Sequence, residues 1–281
     1  MNDTCPLVCV DERPNEVADM TPGTERDDSL RSVQRALALI EILATAPNGA
    51  GVTELAGRLG TAKSTVHRML ATLRTADWVR QSDLTERYEL TWKPFEIGAR
   101  FARSKGIGEQ IGYVLRRLAD ESRESAKLGV WERQEIVVIY KVDAGESFRM
   151  DLHVGTRLPA YCTALGKAVL AALDDRELQS YIAGCEWKRY AENTITDAAA
   201  LRADLRAARA RGYAVDHGEH HDEVTCVSAP VQDSMGRPVA SLSISGPTWR
   251  MDVGQIDRLG RLVADSARQL SGMYGYSPRG V

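Results

Sequence analysis

The sequence predicts a mixed α/β protein of two domains, an N-terminal winged helix-turn-helix and a C-terminal α/β domain built on an antiparallel sheet. Three observations predict it. The chain has 281 residues, which is two domains' worth at about 150 residues each. Residues 30–92 run as helix, helix-turn-helix and hairpin. From Lys127 onward, strand-like runs joined by hairpin-length links alternate with helical ones, whereas a parallel sheet needs a long crossover between paired strands.

The elements follow in chain order. Residues 1–28 read as a disordered acidic tail: they hold Pro6, Pro14 and Pro22, show no apolar periodicity, and carry eight Asp/Glu against Arg13 and Arg26. A helix follows, with Ser29 as its N-cap and Leu30, Val33, Leu37, Ile40 and Leu43/Ala44 as its apolar face, ending near Pro47-Asn48-Gly49. A capped short helix from Thr53, a turn containing Gly60 and a second helix to Thr75 form the helix-turn-helix. Trp78 to Gln81 and Arg87 to Leu90 flank Ser82-Asp83-Leu84-Thr85 as a hairpin that closes a domain over 29–92. A linker helix spans 93–107, with a break around Gly106 to Gly108. The second domain covers 108–274 and opens on a helix running to Ser125. Its strands are predicted at Lys127–Trp131, Ile136–Val142, Phe148–Leu152, Val224–Val231 and Val239–Ser245. Its helices are predicted at Thr163–Leu173, Glu177–Ile182, Asp197–Arg211 and Gln255–Leu270. Residues 275–281 read as a flexible C-terminus.

Composition excludes several classes of function. Apolar runs such as Val169–Leu173 and Ile136–Ile139 fall far short of the roughly 18 to 20 residues that cross a bilayer. The first ten residues lack a basic n-region, so the expectation is a cytoplasmic protein with no membrane partner. Five cysteines, an odd number without a C-x-x-C pair, point to reduced thiols rather than a disulfide frame or zinc finger. Gly166-Lys167 is not a P-loop, since Tyr161 stands where the leading glycine belongs and Ala168 replaces Ser/Thr. No G-x-S-x-G elbow is present. No cofactor and no enzymatic activity are expected.

The net charge of −3 hides a division along the chain. Residues 1–28 carry −6 and the rest +3, and residues 57–80 hold Arg58, Lys63, Arg68, Arg74 and Arg80 against Asp77 alone. Basic charge therefore gathers on the helix-turn-helix, where a duplex contact needs it. On its second helix Val66, Met69, Leu70 and Leu73 share one face at i, i+3, i+4 and i+7, while Ser64, His67, Arg68, Ala71 and Thr75 fall opposite. The polar face suits a major groove, which is wide enough for an α-helix. Ser64, Thr65, His67 and Arg68 are the candidates for base edges, Thr53, Lys63, Arg74 and Arg80 for phosphates. Arg80 and Arg87 on the hairpin could flank the duplex as a wing.

In the second domain Thr163 caps a helix whose first N–H groups and dipole suit a carboxylate. Ser243 and Ser245, two apart on an apolar strand, share a face and need polar partners, which a ligand, water or nearby backbone could supply.

Three segments of the N-terminal half, Ser32-Val33-Gln34-Arg35-Ala36-Leu37, Lys63-Ser64-Thr65-Val66-His67-Arg68 and Tyr88-Glu89-Leu90-Thr91, resemble the DNA-binding half of IclR-type transcription regulators. Leu158 to Ala168, Arg211-Gly212-Tyr213-Ala214-Val215-Asp216 and Ser243-Ile244-Ser245-Gly246-Pro247 resemble, in the right order, segments of that family's effector-binding domain. The resemblance covers roughly residues 29–272 and leaves the tail outside. It implies a GAF-like antiparallel effector domain, a double-stranded DNA operator, a small organic acid effector, control of a catabolic operon as repressor or activator, and a homodimer or tetramer with one contact through the first helix. It also implies effector contacts at the amides of Ala164 and Leu165, at Asp216, at Cys226, and at Ser243 and Ser245. A carboxylate beside Asp216 would be repelled unless Asp216 is protonated or accepts a hydrogen bond, which points to a hydroxy- or keto-acid. Leu165, Tyr161 and Cys162 make the adjoining wall bulky and partly aromatic.

Two other readings compete. His217, His220 and His221 with Cys226 suggest a metal- or thiol-responsive transcription factor, although Gly218 favours a loop that covers the pocket over a metal-binding helix face. A small-acid enzyme using Asp216, a histidine and Cys226 is the weaker alternative, because no activated nucleophile with an assigned base is visible.

Overall fold

The computed structural model describes residues 8–9, 30–104, 108–143 and 150–276. Two compact units divide the chain, one within Arg13–Gly108 and one within Glu109–Val281. Of the acidic tail only a two-residue strand is described, β1 (Val8–Cys9), in parallel pairing with β6 (Met150–Asp151). The rest of the tail, and residues 277–281, lie outside the described residues.

The first unit comprises α1 (Arg31–Ala44), α2 (Val52–Arg58), α3 (Lys63–Thr75), β2 (Val79–Gln81), β3 (Tyr88–Leu90) and α4 (Lys93–Ser104). Its core joins Leu39, Ile42 and Leu43 of α1 to Leu55 and Ala56 of α2, Val66 and Leu70 of α3, and Val79 and Tyr88 of the hairpin. Leu39, Leu55 and Leu70 are fully buried, each contributing about 2 kcal/mol of apolar transfer. The small side chain of Ala56 is buried between the neighbouring helices of this core, and Gly60 takes a positive φ of 57° in the turn between them. The hairpin is extended on one side by Ala50, which exchanges two 2.9 Å backbone hydrogen bonds with Tyr88. Gly49, at φ 65°, makes this possible: a Cβ there would stand 2.6 Å from the Tyr88 carbonyl oxygen.

Two expectations for this unit are corrected. The helix α1 turns Leu39, Ile42 and Leu43 inward and leaves Leu30, Val33 and Leu37 exposed. It has two apolar faces, and spacing alone selects the longer row without telling which face the domain covers. Neither α1 nor α2 carries a side-chain cap: Leu30 and Gly51 occupy the N-cap positions, and Thr53 lies exposed inside the first turn of α2. Ser29 lies outside the described residues. No residue of α4 is buried, and Trp92, Phe95 and Phe101 are exposed along or just before it.

The second unit comprises α5 (Glu109–Ser122), β4 (Ser125–Glu132), β5 (Glu135–Val142), β7 (Arg157–Pro159), α6 (Ala164–Ala172), α7 (Asp175–Ala183), α8 (Ala198–Arg211), β8 (Ala214–His217), β9 (Val224–Gln232), β10 (Pro238–Pro247) and α9 (Val253–Met273). Six strands form one sheet in the order β7-β5-β4-β10-β9-β8, antiparallel throughout. The short strands β7 and β8 were not among those predicted, because three and four residues show too little alternation. Phe148 and Arg149 of the predicted third strand lie outside the described residues. Alternation gives the sheet two faces. Leu242, Ile244, Ala126 and Leu128 share the face toward α5 and α9, which are joined by Arg117 donating to Ser266 and Gln269. The other face lies under α6: the Ser241 hydroxyl donates to the Leu165 carbonyl at 2.9 Å. Gly166 in the first turn of α6 packs against the backbone of Ala160, just past β7, where a Cβ would approach the Ala160 Cα to 2.1 Å.

Candidate functional site

The face under α6 carries polar side chains in register. Antiparallel pairing aligns Asp216 of β8 with Cys226 of β9 and Cys226 with Ser245 of β10, and in the next row aligns Ser228 with Ser243 and Ser243 with Lys127 of β4. Directly opposed residues point the same way, so side chains far apart in sequence converge beneath one helix. Asp216, Ser228, Ser243, Ser245 and Lys127 are all buried, and buried polar groups at this density need defined partners.

Above them, α6 begins at Ala164. Thr163 is its N-cap and its hydroxyl accepts from the Gly166 N–H at 3.2 Å, as the sequence suggested. The amides of Ala164 and Leu165, in the first turn ahead of that bond, have no partner within the helix by its geometry. A cavity of about 30 Å³ lies between helix start and sheet, room for one or two waters. All six residues proposed from sequence, Ala164, Leu165, Asp216, Cys226, Ser243 and Ser245, line it. Leu152 and Leu158 add apolar wall, and His220 and His221 close it from the 218–223 turn.

Lys127 also lines the cavity and was not singled out from sequence. Its signal was present: one lysine inside the apolar strand Ser125-Ala126-Lys127-Leu128-Gly129-Val130, on the period that points inward. Its Nζ donates to the Ser245 Oγ at 2.9 Å, and the Cys226 thiol donates to the same oxygen at 3.0 Å. A serine hydroxyl has two acceptor sites and one proton. With both acceptor sites used, Ser245 keeps its O–H to donate toward Ser243, 3.5 Å away, or toward a ligand.

Burial sets the protonation of the site. Desolvation first, and then the charge of Glu219, raise Asp216 to about 7 against the opposing charge of Lys167. Its Oδ1 accepts from the Glu219 N–H at 2.7 Å. Desolvation also lowers Lys127 and lifts the Cys226 thiol to about 12, so this sulfur is no thiolate at neutral pH. Beneath Asp216 lies an ion cluster around the fully buried Lys167, which meets Glu219 and, at 2.9 Å, Asp204. Burial alone would depress Lys167, and the two carboxylates hold it above its ordinary value instead.

The histidines point to separate neighbours. His217 Nδ1 stands 3.1 Å from the Thr225 hydroxyl, and His220 lies against Tyr190 at 5.0 Å between ring centroids. Among the described residues no group of three or more His, Cys, Asp or Glu is arranged to hold a metal ion.

In the first unit Lys63, Ser64, His67, Arg68 and Arg74 are exposed on α3, Thr65 is half-buried, and Val66 and Leu70 face the core. The hairpin arginines differ. Arg80 is exposed and pairs with Glu89 at 3.1 Å. Arg87 is committed within the domain: its guanidinium donates to the carbonyls of Asn48 and Gly49 and to Glu54 at 2.8 Å, bracing the hairpin against the strand of Ala50.

Comparison with known proteins agrees with both units. Residues 32–83 match the family model of the IclR helix-turn-helix domain, and residues 99–272 that of the bacterial transcriptional regulator IclR C-terminal domain. The chain is 35% identical over 252 residues to the HTH-type transcriptional regulator KdgR of Escherichia coli, covering 90% of this chain and 95% of that protein. It is 34% identical over 257 residues to the HTH-type transcriptional regulator BhcR of Paracoccus denitrificans, covering 92% and 91%. The crystal structure of the Thermotoga maritima IclR superposes with a TM-score of 0.77 at 28% identity, covering 87% of this chain and 99% of that one.

Proposed function

The chain belongs to the IclR family of DNA-binding transcription regulators, and we propose that it controls a catabolic operon in response to a small hydroxy- or keto-acid bound in the cavity beneath α6. One observation carries the proposal: six residues drawn from a helix start and three strands, spread over more than 80 positions of sequence, line a single cavity. The carboxylate of the effector sits at the amides of Ala164 and Leu165, and its hydroxyl or keto oxygen meets Ser245. Asp216, poised near 7, takes the protonated form beside the bound acid and donates rather than repels. Binding in this partly enclosed cavity between the start of α6 and the sheet selects one conformation of the domain.

On the DNA side, the exposed face of α3 enters the major groove, with Ser64, Thr65, His67 and Arg68 toward base edges and Thr53, Lys63, Arg74 and Arg80 toward phosphates. Arg87 serves as a brace of the wing. Two such units act together through α1, whose outward row of Leu30, Val33 and Leu37 has the three- and four-residue spacing of a helix-pairing seam. The test selects bound duplexes from a random library and measures affinity for a selected and a scrambled duplex. Arg68→Ala is expected to cost about 1–3 kcal/mol on the selected duplex and to relax specificity, and Lys63→Ala to weaken both duplexes alike. Equal loss on both duplexes for Arg68→Ala would move that residue to a phosphate.

A further inference from the structure

The turn between β8 and β9 brings His221 to the cavity wall. Its backbone is tied to several segments. The Thr194 hydroxyl donates to the Glu219 carbonyl at 2.6 Å, the Val224 N–H to the His221 carbonyl at 3.0 Å and the Thr248 N–H to the Glu223 carbonyl at 2.8 Å. The Asp222 carboxylate accepts from the Glu192 N–H at 2.9 Å. None of these bonds needs an imidazole at position 221, since His221 contributes only its carbonyl. The ring itself is half-buried, and its Nδ1 is shielded from solvent without a hydrogen-bond partner. Buried polar atoms are nearly always paired, and an unpaired one opposes folding. Other polar side chains of the wall have partners in the protein. The Thr163 hydroxyl accepts from the Gly166 N–H and donates to the Pro159 carbonyl at 2.7 Å, Asp216 accepts from the Glu219 N–H, and Lys127, Cys226 and Ser243 all meet Ser245.

The balance of donors and acceptors around the cavity then separates two ligand classes. The first-turn amides of α6 donate, and so does the Ser245 O–H, whose acceptor sites are taken by Lys127 and Cys226. A keto-acid brings acceptors only. A hydroxy-acid brings in addition one O–H, which needs an acceptor once it is out of water. A neutral imidazole has one bare nitrogen that supplies it. We propose that His221 reads the effector's hydroxyl: with the ring proton on Nε2, Nδ1 accepts the hydroxyl proton, while the hydroxyl oxygen accepts from Ser245 and the neighbouring carboxylate lies at the start of α6. The effector is accordingly a 2-hydroxy acid rather than the corresponding keto-acid. This rests on the assignment of the cavity as the effector site.

The test uses matched acids of equal charge that differ only in the oxidation of one carbon: each enantiomer of lactate against pyruvate, and of 2-hydroxybutyrate against 2-oxobutyrate. Binding to the full-length protein is measured by calorimetric titration for the wild type, for His221→Phe, which keeps a ring and removes both nitrogens, and for His221→Asn, whose amide oxygen stands in for Nδ1. In the wild type one enantiomer of each hydroxy-acid is expected to bind about tenfold or more tighter than its keto partner. That preference is lost in His221→Phe and retained in His221→Asn. A purely structural role would weaken both members of a pair alike and leave their ratio unmoved. A preference that survives His221→Phe hands the hydroxyl to another acceptor, such as Asp216, and overturns the inference. Equal binding within the pairs by the wild type, or tighter binding of the keto-acids, overturns it whatever the variants do and leaves the cavity assignment standing. Binding of none of these acids overturns the cavity assignment and the inference with it.

Discussion

Asp216→Asn gives the sharpest view of how burial tunes the cavity. Folding raises this carboxyl from 3.8 to about 7, chiefly by desolvation. Below pH 3.8 both folded and unfolded chains carry the proton, and the group leaves stability unchanged. Between 3.8 and about 7 the folded chain keeps a proton that the unfolded chain releases, so stability falls as pH rises, by about 1.4 kcal/mol per unit. The whole loss is roughly 4 kcal/mol, about 3 of which falls between pH 5 and pH 8, and above the folded value the curve is flat. Asparagine preserves the acceptor oxygen for the Glu219 N–H and has no proton to lose. The variant is therefore expected to gain on the wild type by about 3 kcal/mol between pH 5 and pH 8. The assay is urea denaturation at both pH values in a Trp78→Phe, Trp92→Phe, Trp249→Phe background, so that fluorescence reports Trp131 and Trp187, both packed against the core of the second unit. A difference that stays constant with pH, or a variant less stable than wild type at pH 8, would show that Asp216 is held ionised by its lysine neighbours and refute the reasoning.

Other expectations concern the first unit. Arg87→Ala removes the brace to Asn48, Gly49 and Glu54 and should destabilise this unit by about 1–2 kcal/mol. Its DNA affinity should keep the same salt dependence, whereas a slope reduced by about one would put Arg87 on a phosphate. Leu37→Glu places a charge on the outward row of α1 and should lower the assembly state seen in sedimentation equilibrium without unfolding the domain, since Leu37 is 57% exposed. An unchanged mass would remove α1 from the subunit contact.

The sequence carried the architecture well because its signals were local. The amphipathic period of α3, the alternation within β10 and the cap at Thr163 each act within a few residues. The failures share one cause, which is tertiary choice. The helix α1 offers two apolar faces, and only the positions of Leu55 and Leu70 decide that Leu39 and Ile42 go inward. Arg80 and Arg87 look equivalent on the hairpin, yet the carbonyls of Asn48 and Gly49, nearly forty positions away, claim one of them. In the cavity, the two-residue spacing of Ser243 and Ser245 on an apolar strand marked the serine pair, whereas Asp216 was found only through resemblance to a family. Lys127 escaped because its partners depend on strand register, Ser243 on β10 and Lys141 on β5, which no short window of sequence contains.

The account stands most directly on whether a small acid binds at the serine pair. Thermal denaturation of the full-length protein would be followed with pyruvate, lactate, ketomalonate and tartronate, for the wild type and for Ser245→Ala. A ligand at 100 times its dissociation constant adds about 2.7 kcal/mol, a readily measured shift for the unit that binds it. The account predicts that at least one of these acids raises the wild-type transition and leaves Ser245→Ala unmoved. A shift of equal size in both proteins, or none in the wild type, would contradict it.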